Sequence, residues 1–339
     1  MNKKASIDLI TGWDNEVKNP IDFKTSLIGQ PEVARKLNFF VASHSPETPI
    51  PTMLFSGSQG LGKTYTSNMV SKAMGREIVE VNCGGLDDRN QLFDDILLTK
   101  VHGWSPVTLL FDEAHKLSRE VATELLTITN PNDNFCNTVD YKNFNIVFDM
   151  SKINIIFATT DANRLLRPLV NRCEEIYFNL YSHTDLLKIL NLYLDDCRIK
   201  VSRKVAIDIG YACRGRARTA FLLAQNIRRY CKINNTNVMT SKGWLELSQV
   251  FGIHPLGLNN KEIKLMKILH GGACDFLSCG NLAIKLGVTE DNVKDEWEQR
   301  PKELGLVQST SKGRSLTGEG VEYLKDMYKK EREEIGLTI

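Results

Sequence analysis

No run of about 18 consecutive apolar residues occurs in this 339-residue chain, so the sequence predicts no membrane-spanning segment. Lys3 and Lys4 stand near the N-terminus without an apolar run behind them, which is not the pattern of a secretory signal. Nor does one sign of charge dominate: 43 Lys and Arg face 41 Asp and Glu, a formal net charge of +2. That balance neither demands nor excludes nucleic acid, and a DNA contact has to come from a local patch rather than a whole-molecule field. The eight cysteines include no pair at CxxC spacing, and Cys274 with Cys279 lacks a second Cys or His pair at zinc-ligand distance. Their scatter predicts free, reduced thiols and a cytoplasmic protein. Internal repeats and low-complexity segments are also missing, and 42% hydrophobic with 25% charged residues excludes bulk disorder, collagen-like sequence and coiled coil.

What is present is an alternation. Residues 1–25 show weak periodicity and read as an arm, after which residues 31–42 follow helical spacing with Pro31 in the first turn. Short buried runs at 52–56, 78–81, 108–111 and 153–158 have strand length, and helical stretches at 64–74, 90–98 and 119–126 separate them. Strands alternating with helices imply a parallel sheet covered on both faces. After about residue 182 the strands stop, and segments 183–196, 203–212, 217–231 and 240–250 read as a small helical domain. From about residue 258 the pattern is helix, helix (279–286), turn, helix (289–303), a hairpin over 305–316 and a charged final helix. A helix-turn-helix followed by a two-stranded wing is a recurrent DNA-docking arrangement.

The clearest chemical signal is Gly57-Ser58-Gln59-Gly60-Leu61-Gly62-Lys63-Thr64, which fits GxxxxGK[ST] between a strand and a helix. In such a P-loop the backbone N–H groups close around phosphates. Lys63 places a charge on the β- and γ-phosphates of ATP, and the Thr64 hydroxyl ligates Mg²⁺. Four apolar residues then deliver Asp112 and Glu113 to the carboxyl end of a buried strand, where ligands sit in open α/β sheets. Asp112 would hold Mg²⁺ through water, and Glu113 would polarise the attacking water. His115 completes the letters DEAH, but a DEAH-box helicase needs two tandem motor domains and this chain has room for one. A third strand ends Ala158-Thr159-Thr160-Asp161, where a polar side chain would lie between the two motifs and touch the γ-phosphate or the water. Arg172 and Arg218, each unremarkable alone, gain meaning from their positions in this set.

The order of parts resembles the AAA+ ATPases, and among them the RuvB family of Holliday-junction branch-migration motors, over roughly residues 25–327. Leu27-Ile28-Gly29-Gln30 is similar to the family's adenine-side entry motif, and Asp112 to Leu117 to its DE-x-H-[KR]-L pattern. The resemblance puts Thr160 at sensor 1, Arg218 on the sensor 2 helix (214–230), and Tyr181 as the lid tyrosine that flanks adenine. The family's GPPG is GSQG here, and of its R-D-R-F segment only the second arginine survives, which makes Arg172 the arginine-finger candidate. The ending Asn171-Arg172-Cys173 is closer to the SRC motif of clamp loaders. Leu256-Gly257-Leu258 and Lys312-Gly313-Arg314 resemble the family's winged helix, so Lys312 and Arg314 become the expected DNA contacts. Residues 134–149 occupy the place of the family's protruding hairpin with a different sequence; the family's partner there is a RuvA-type adaptor.

The expected architecture is an α/β P-loop AAA+ domain (1–182), a helical lid (183–255) and a winged helix (256–339). The expected function is a ring-forming, ATP-driven DNA motor, hexameric by resemblance. A clamp-loader or helicase-loader ATPase in replication is the alternative. A DNA-binding regulator with residual nucleotide binding is a third reading, disfavoured because such a protein could dispense with Glu113.

Overall fold

Five strands pair in parallel in the order β2-β3-β6-β1-β7, the three central ones apolar: β1 (Met53–Ser56), β2 (Glu77–Asn82), β3 (Val107–Asp112), β6 (Ile153–Thr159) and β7 (Glu174–Tyr177). The computed structural model describes residues 21–45, 49–101, 106–271 and 276–334. In β3, Leu109 and Phe111 face one layer while Leu110 faces the other; in β6, Ile155 and Phe157 oppose Ile156 and Ala158 in the same way. Phe93, Val121 and Leu125 cover the first face, and Val33, Leu37, Met69 and Val70 the second. Near-continuous apolar strands follow from burial on both sides. The expected parallel P-loop sheet is therefore present, and the sequence-read helices at Pro31–Ala42, Lys63–Ala73 and Arg119–Ile128 flank it.

Contacts divide the described chain into two compact units. The first runs up to Ile189 and takes in Arg216–Arg218; the second comprises Leu190–Gly215 and everything described from Thr219 onward. In the first, β4 (Cys136–Tyr141) and β5 (Phe144–Asp149) form an antiparallel hairpin. One hairpin face enters the core through Val139, Tyr141 and Phe148, with Tyr141 stacked on Phe93 at 4.4 Å. In the second, Asn260–His270, Cys279–Leu286 and the irregular helical stretch Glu290–Glu303 precede β10 (Val307–Thr310), β11 (Gly313–Leu316) and a last helix, Gly318–Glu334. Leu265, Met266, Leu282, Val293 and Leu324 fill the core of this winged helix.

Three expectations change. Strands do not end at 182: β8 (Lys200–Val201) and β9 (Val238–Met239) pair in parallel within the second unit. Two-residue strands are too short to leave a period in the sequence. The helices read at 90–98 and 289–303 both contain π-helical turns, at Gln91–Leu97 and Val293–Trp297. The arm read at 1–25 lies mostly outside the described residues, but its end is not an arm. Asp22 caps a helical turn, Phe23–Ser26, and Phe23 is fully buried. Each described cysteine is free, and no helix among the described residues is long and apolar enough to cross a membrane.

Candidate nucleotide site

The P-loop leaves β1 and re-enters a helix at Lys63, and two glycines make the path possible. Gly57 sits at φ +137°, where a Cβ would lie 2.6 Å from the Phe178 carbonyl oxygen, and Gly62 caps the helix Lys63–Ala73 in the left-handed region at φ +93°. Lys63 is 8% exposed and turns back over the loop, donating to the Gly57 and Ser58 carbonyls at 2.6 and 2.9 Å. Burial lowers its ammonium below the usual value; Asp112 and Glu113 oppose that shift and Arg218 adds to it. The lysine is thus held by loop carbonyls, neutral acceptors that an anionic phosphate would outcompete.

Strand order sets the rest. Because β6 lies between β1 and β3, the ends of the P-loop strand, the acidic strand and the sensor strand stand side by side. Thr64 Oγ1 donates to Asp112 Oδ2 at 3.3 Å, and Asp112 Oδ1 accepts from the Glu113 N–H at 2.9 Å. Glu113 itself adopts a left-handed conformation (φ 56°, ψ 39°), unusual for a residue with a side chain. Its carboxylate is 3.3 Å from His115 Nε2 and 3.4 Å from Lys116 Nζ. At the end of β6, Thr159 is buried whereas Thr160 is exposed.

The adenine side is built from distant segments. Tyr181 donates from its hydroxyl to the Leu61 carbonyl at 2.8 Å, and its ring lies against Gly29, next to half-buried Ile28. Gln30, 2% exposed, locks this arrangement: its side chain donates to the Asn179 carbonyl at 2.7 Å and accepts from the Asn179 N–H at 3.2 Å. The Arg218 N–H donates to the Gly60 carbonyl at 3.2 Å, which brings that arginine to the P-loop. Arg216 lies there too, its Cβ 3.6 Å from where a Gly60 Cβ would stand, with a buried Nε that has no partner among the described residues. Sequence reasoning gave no site role to Gln30, His115 or Arg216, although each lies in a run it quoted: the entry motif, the DE-x-H-[KR]-L pattern and the arginine-rich segment.

Two expected residues lie elsewhere. Arg172 donates to the Leu126 carbonyl on the helix Arg119–Ile128, and its bond does not reach the P-loop cluster. In the wing, Arg314, an expected DNA contact, is held by an ion pair within the domain. Its Nε and Nη2 donate to both carboxylate oxygens of Glu298, at 2.9 and 3.2 Å. The reason is strand geometry: in β11, Arg314 leans onto the helical layer, where Glu298 is 2% exposed. Lys312, at the hairpin turn, stays exposed.

Comparison with known proteins agrees with this geometry. Residues 53–180 match the ATPase family associated with various cellular activities (AAA), and residues 255–325 match the RuvB C-terminal winged helix domain. The chain is similar to the Holliday junction branch migration complex subunit RuvB of Campylobacter hominis, 25% identical over 308 residues that cover 89% of this chain and 88% of that protein. It is also similar to that of Staphylococcus haemolyticus, 27% identical over 315 residues, 89% and 91% respectively. Its fold matches the Thermotoga maritima RuvB branch-migration motor with a TM-score of 0.72 at 22% identity, across 90% of this chain and 98% of that one. A P-loop with its acidic pair in one half and a winged helix matching the RuvB C-terminal domain in the other join an AAA ATPase domain to a RuvB-type tail, and the chain is similar to RuvB subunits over most of its length.

Proposed function

We propose that this ATPase is a ring-forming DNA motor that drives branch migration of Holliday junctions in recombination and repair. The observation that carries this reading is the union, in one chain, of a hydrolytic P-loop site with a RuvB-type winged helix. A clamp loader would use the same ATP site but carries a helical collar where this chain has its winged helix.

In this reading Gly57, Gly60, Leu61 and Gly62 offer backbone N–H groups to the phosphates, while Ile28 and Tyr181 flank adenine. Lys63 and Arg218 neutralise phosphate charge, Glu113 polarises the attacking water, and Thr160 contacts that water or the γ-phosphate. Arg172 serves a neighbouring subunit's site. The Thr64 hydroxyl and Asp112 carboxylate, 3.3 Å apart, are the hard oxygen donors that Mg²⁺ prefers, with Asp112 acting through water. When bound there, Mg²⁺ would neutralise charge on the β- and γ-phosphate oxygens.

The modules are the ATPase domain (1–182), the lid (183–255) and the winged helix (256–339), assembled as a hexameric homo-oligomer around DNA in the cytoplasm. Lys312 contacts DNA phosphates. The outer face of the β4–β5 hairpin, with Phe144 68% and Val147 41% exposed, is the docking surface for a RuvA-like adaptor. Electron microscopy with an ATP analogue and linear or four-way DNA tests the proposal. Hexameric rings encircling duplex arms are expected; pentameric open spirals would move the chain to the loader class.

A further inference from the structure

His115 is a side chain that the hydrolytic scheme leaves unused. It is 9% exposed, and both ring nitrogens are engaged: Nε2 lies 3.3 Å from Glu113 Oε2, and Nδ1 lies 3.2 Å from Thr159 Oγ1. Thr159 is 1% exposed, and its oxygen also accepts from the Asp161 N–H at 3.1 Å. One placement of protons satisfies every atom. Thr159 accepts from Asp161 and can donate its hydroxyl hydrogen to His115 Nδ1, which places the ring's Nε2–H edge against the Glu113 carboxylate as an electrostatic contact at 3.3 Å. A line of polar contacts therefore runs from the end of β6 through Thr159 and His115 to the glutamate.

Backbone geometry builds this link. The left-handed Glu113 turns the chain out of β3 into the short helical turn Ala114–Lys116, where Lys116 N–H returns to the Glu113 carbonyl at 2.8 Å. That turn folds residue 115 back over the side chain of residue 113. The register Phe111↔Phe157 carries the end of β3 level with the end of β6, so Thr159 stands within reach of the same ring. Glu113 holds a strained left-handed conformation, which persists only when surrounding contacts over-determine it. Lys116 also faces the Glu113 carboxylate, but it is half exposed on a flexible stem and supplies charge more than orientation.

We infer that His115 is a positioning residue that fixes the Glu113 carboxylate and ties its orientation to the end of β6 through Thr159. The inference rests on the proposed role of Glu113. Hydrolysis then depends on a contact between segments 44 positions apart, so a displacement of the sensor strand reaches the glutamate directly.

The test uses the full chain, steady-state ATPase kinetics and titration with a fluorescent ADP analogue. His115→Ala should lower kcat about tenfold, the scale of one misoriented group, with KM and ADP affinity unchanged. His115→Gln, whose amide N–H can take the place of Nε2, should recover most of that loss. Thr159→Val should also lower kcat, yet add nothing in the His115→Ala background, because both substitutions break one chain. Multiplying losses in the double variant would overturn the inference. So would a glutamine variant no better than alanine, or an effect of His115→Ala confined to nucleotide affinity. Glu113→Gln separates the two levels. Full activity in that variant would remove the proposed role of Glu113 and this inference with it; an inactive Glu113→Gln beside an unaffected His115→Ala would remove the inference alone.

Discussion

In the proposed site, Lys63 at the start of its helix and Glu113 at the end of β3 would approach the phosphate chain from different elements, and the sheet order β3-β6-β1 makes their roles separable. Lys63 is a buried cation already desolvated and waiting on neutral carbonyls, so its work is binding. Lys63→Ala should weaken nucleotide affinity by roughly 10- to 100-fold, the loss of a charge-assisted hydrogen bond. Glu113→Gln should bind normally and hydrolyse about 10²–10⁴-fold more slowly, because an amide cannot accept a proton. Fluorescent-nucleotide titration beside ATPase assays checks both, and equal loss of affinity in the two variants would contradict the assignment. Both residues were legible because a P-loop and an acidic strand end are local patterns. His115 was not, since nothing near it in sequence announces Thr159 as its partner.

At the level of elements, the wing separates two residues that look interchangeable in Lys312-Gly313-Arg314. Glu298 is nearly buried; burial by itself would raise its carboxyl, but hydrogen bonds from Arg314 and Lys302 outweigh that and hold it below the usual value. Arg314→Ala would leave this carboxylate with Lys302 alone and should destabilise the chain by roughly 3 kcal/mol, read as a lowered Tm. Because the folded carboxyl is depressed, its stabilisation is complete above the ordinary glutamate value of 4.5 and fades as pH falls through the lowered one. The Arg314→Ala variant should lose that acid-side dependence. Lys312→Ala should leave the Tm in place and reduce the salt slope of log DNA affinity by about one unit. An unchanged slope would make the wing a protein-docking element.

At the level of the whole molecule, the ring proposal turns on Arg172. It follows the sensor strand and is anchored to the Leu126 carbonyl, separate from its own P-loop cluster, as an arginine working in trans requires. Such residues contribute about 10³–10⁵ in rate. Arg172→Ala should therefore bind ATP yet hydrolyse it very slowly. Mixing Lys63→Ala with Arg172→Ala should restore activity, since some interfaces then join an intact P-loop to an intact finger. No recovery in rings shown to be mixed would make Arg172 structural and weaken the motor reading.

The sequence by itself determined the class of fold and the chemistry. The run from Gly57 to Thr64, the apolar strand ending in Asp112 and Glu113, and the alternation of strand and helix are short-range patterns that hydrophobic periodicity and glycine placement express directly. Only the tertiary structure decided which distant side chains meet. Strand order placed Thr159 beside His115, and a pair of bonds spanning 149 positions joined Gln30 to Asn179. Packing of β11 turned Arg314 inward to Glu298 and left Lys312 in solvent. Spacing along the chain reports local conformation; the partner of a buried polar group is chosen by whatever packing brings within about 3 Å of it, because leaving it unpaired costs free energy.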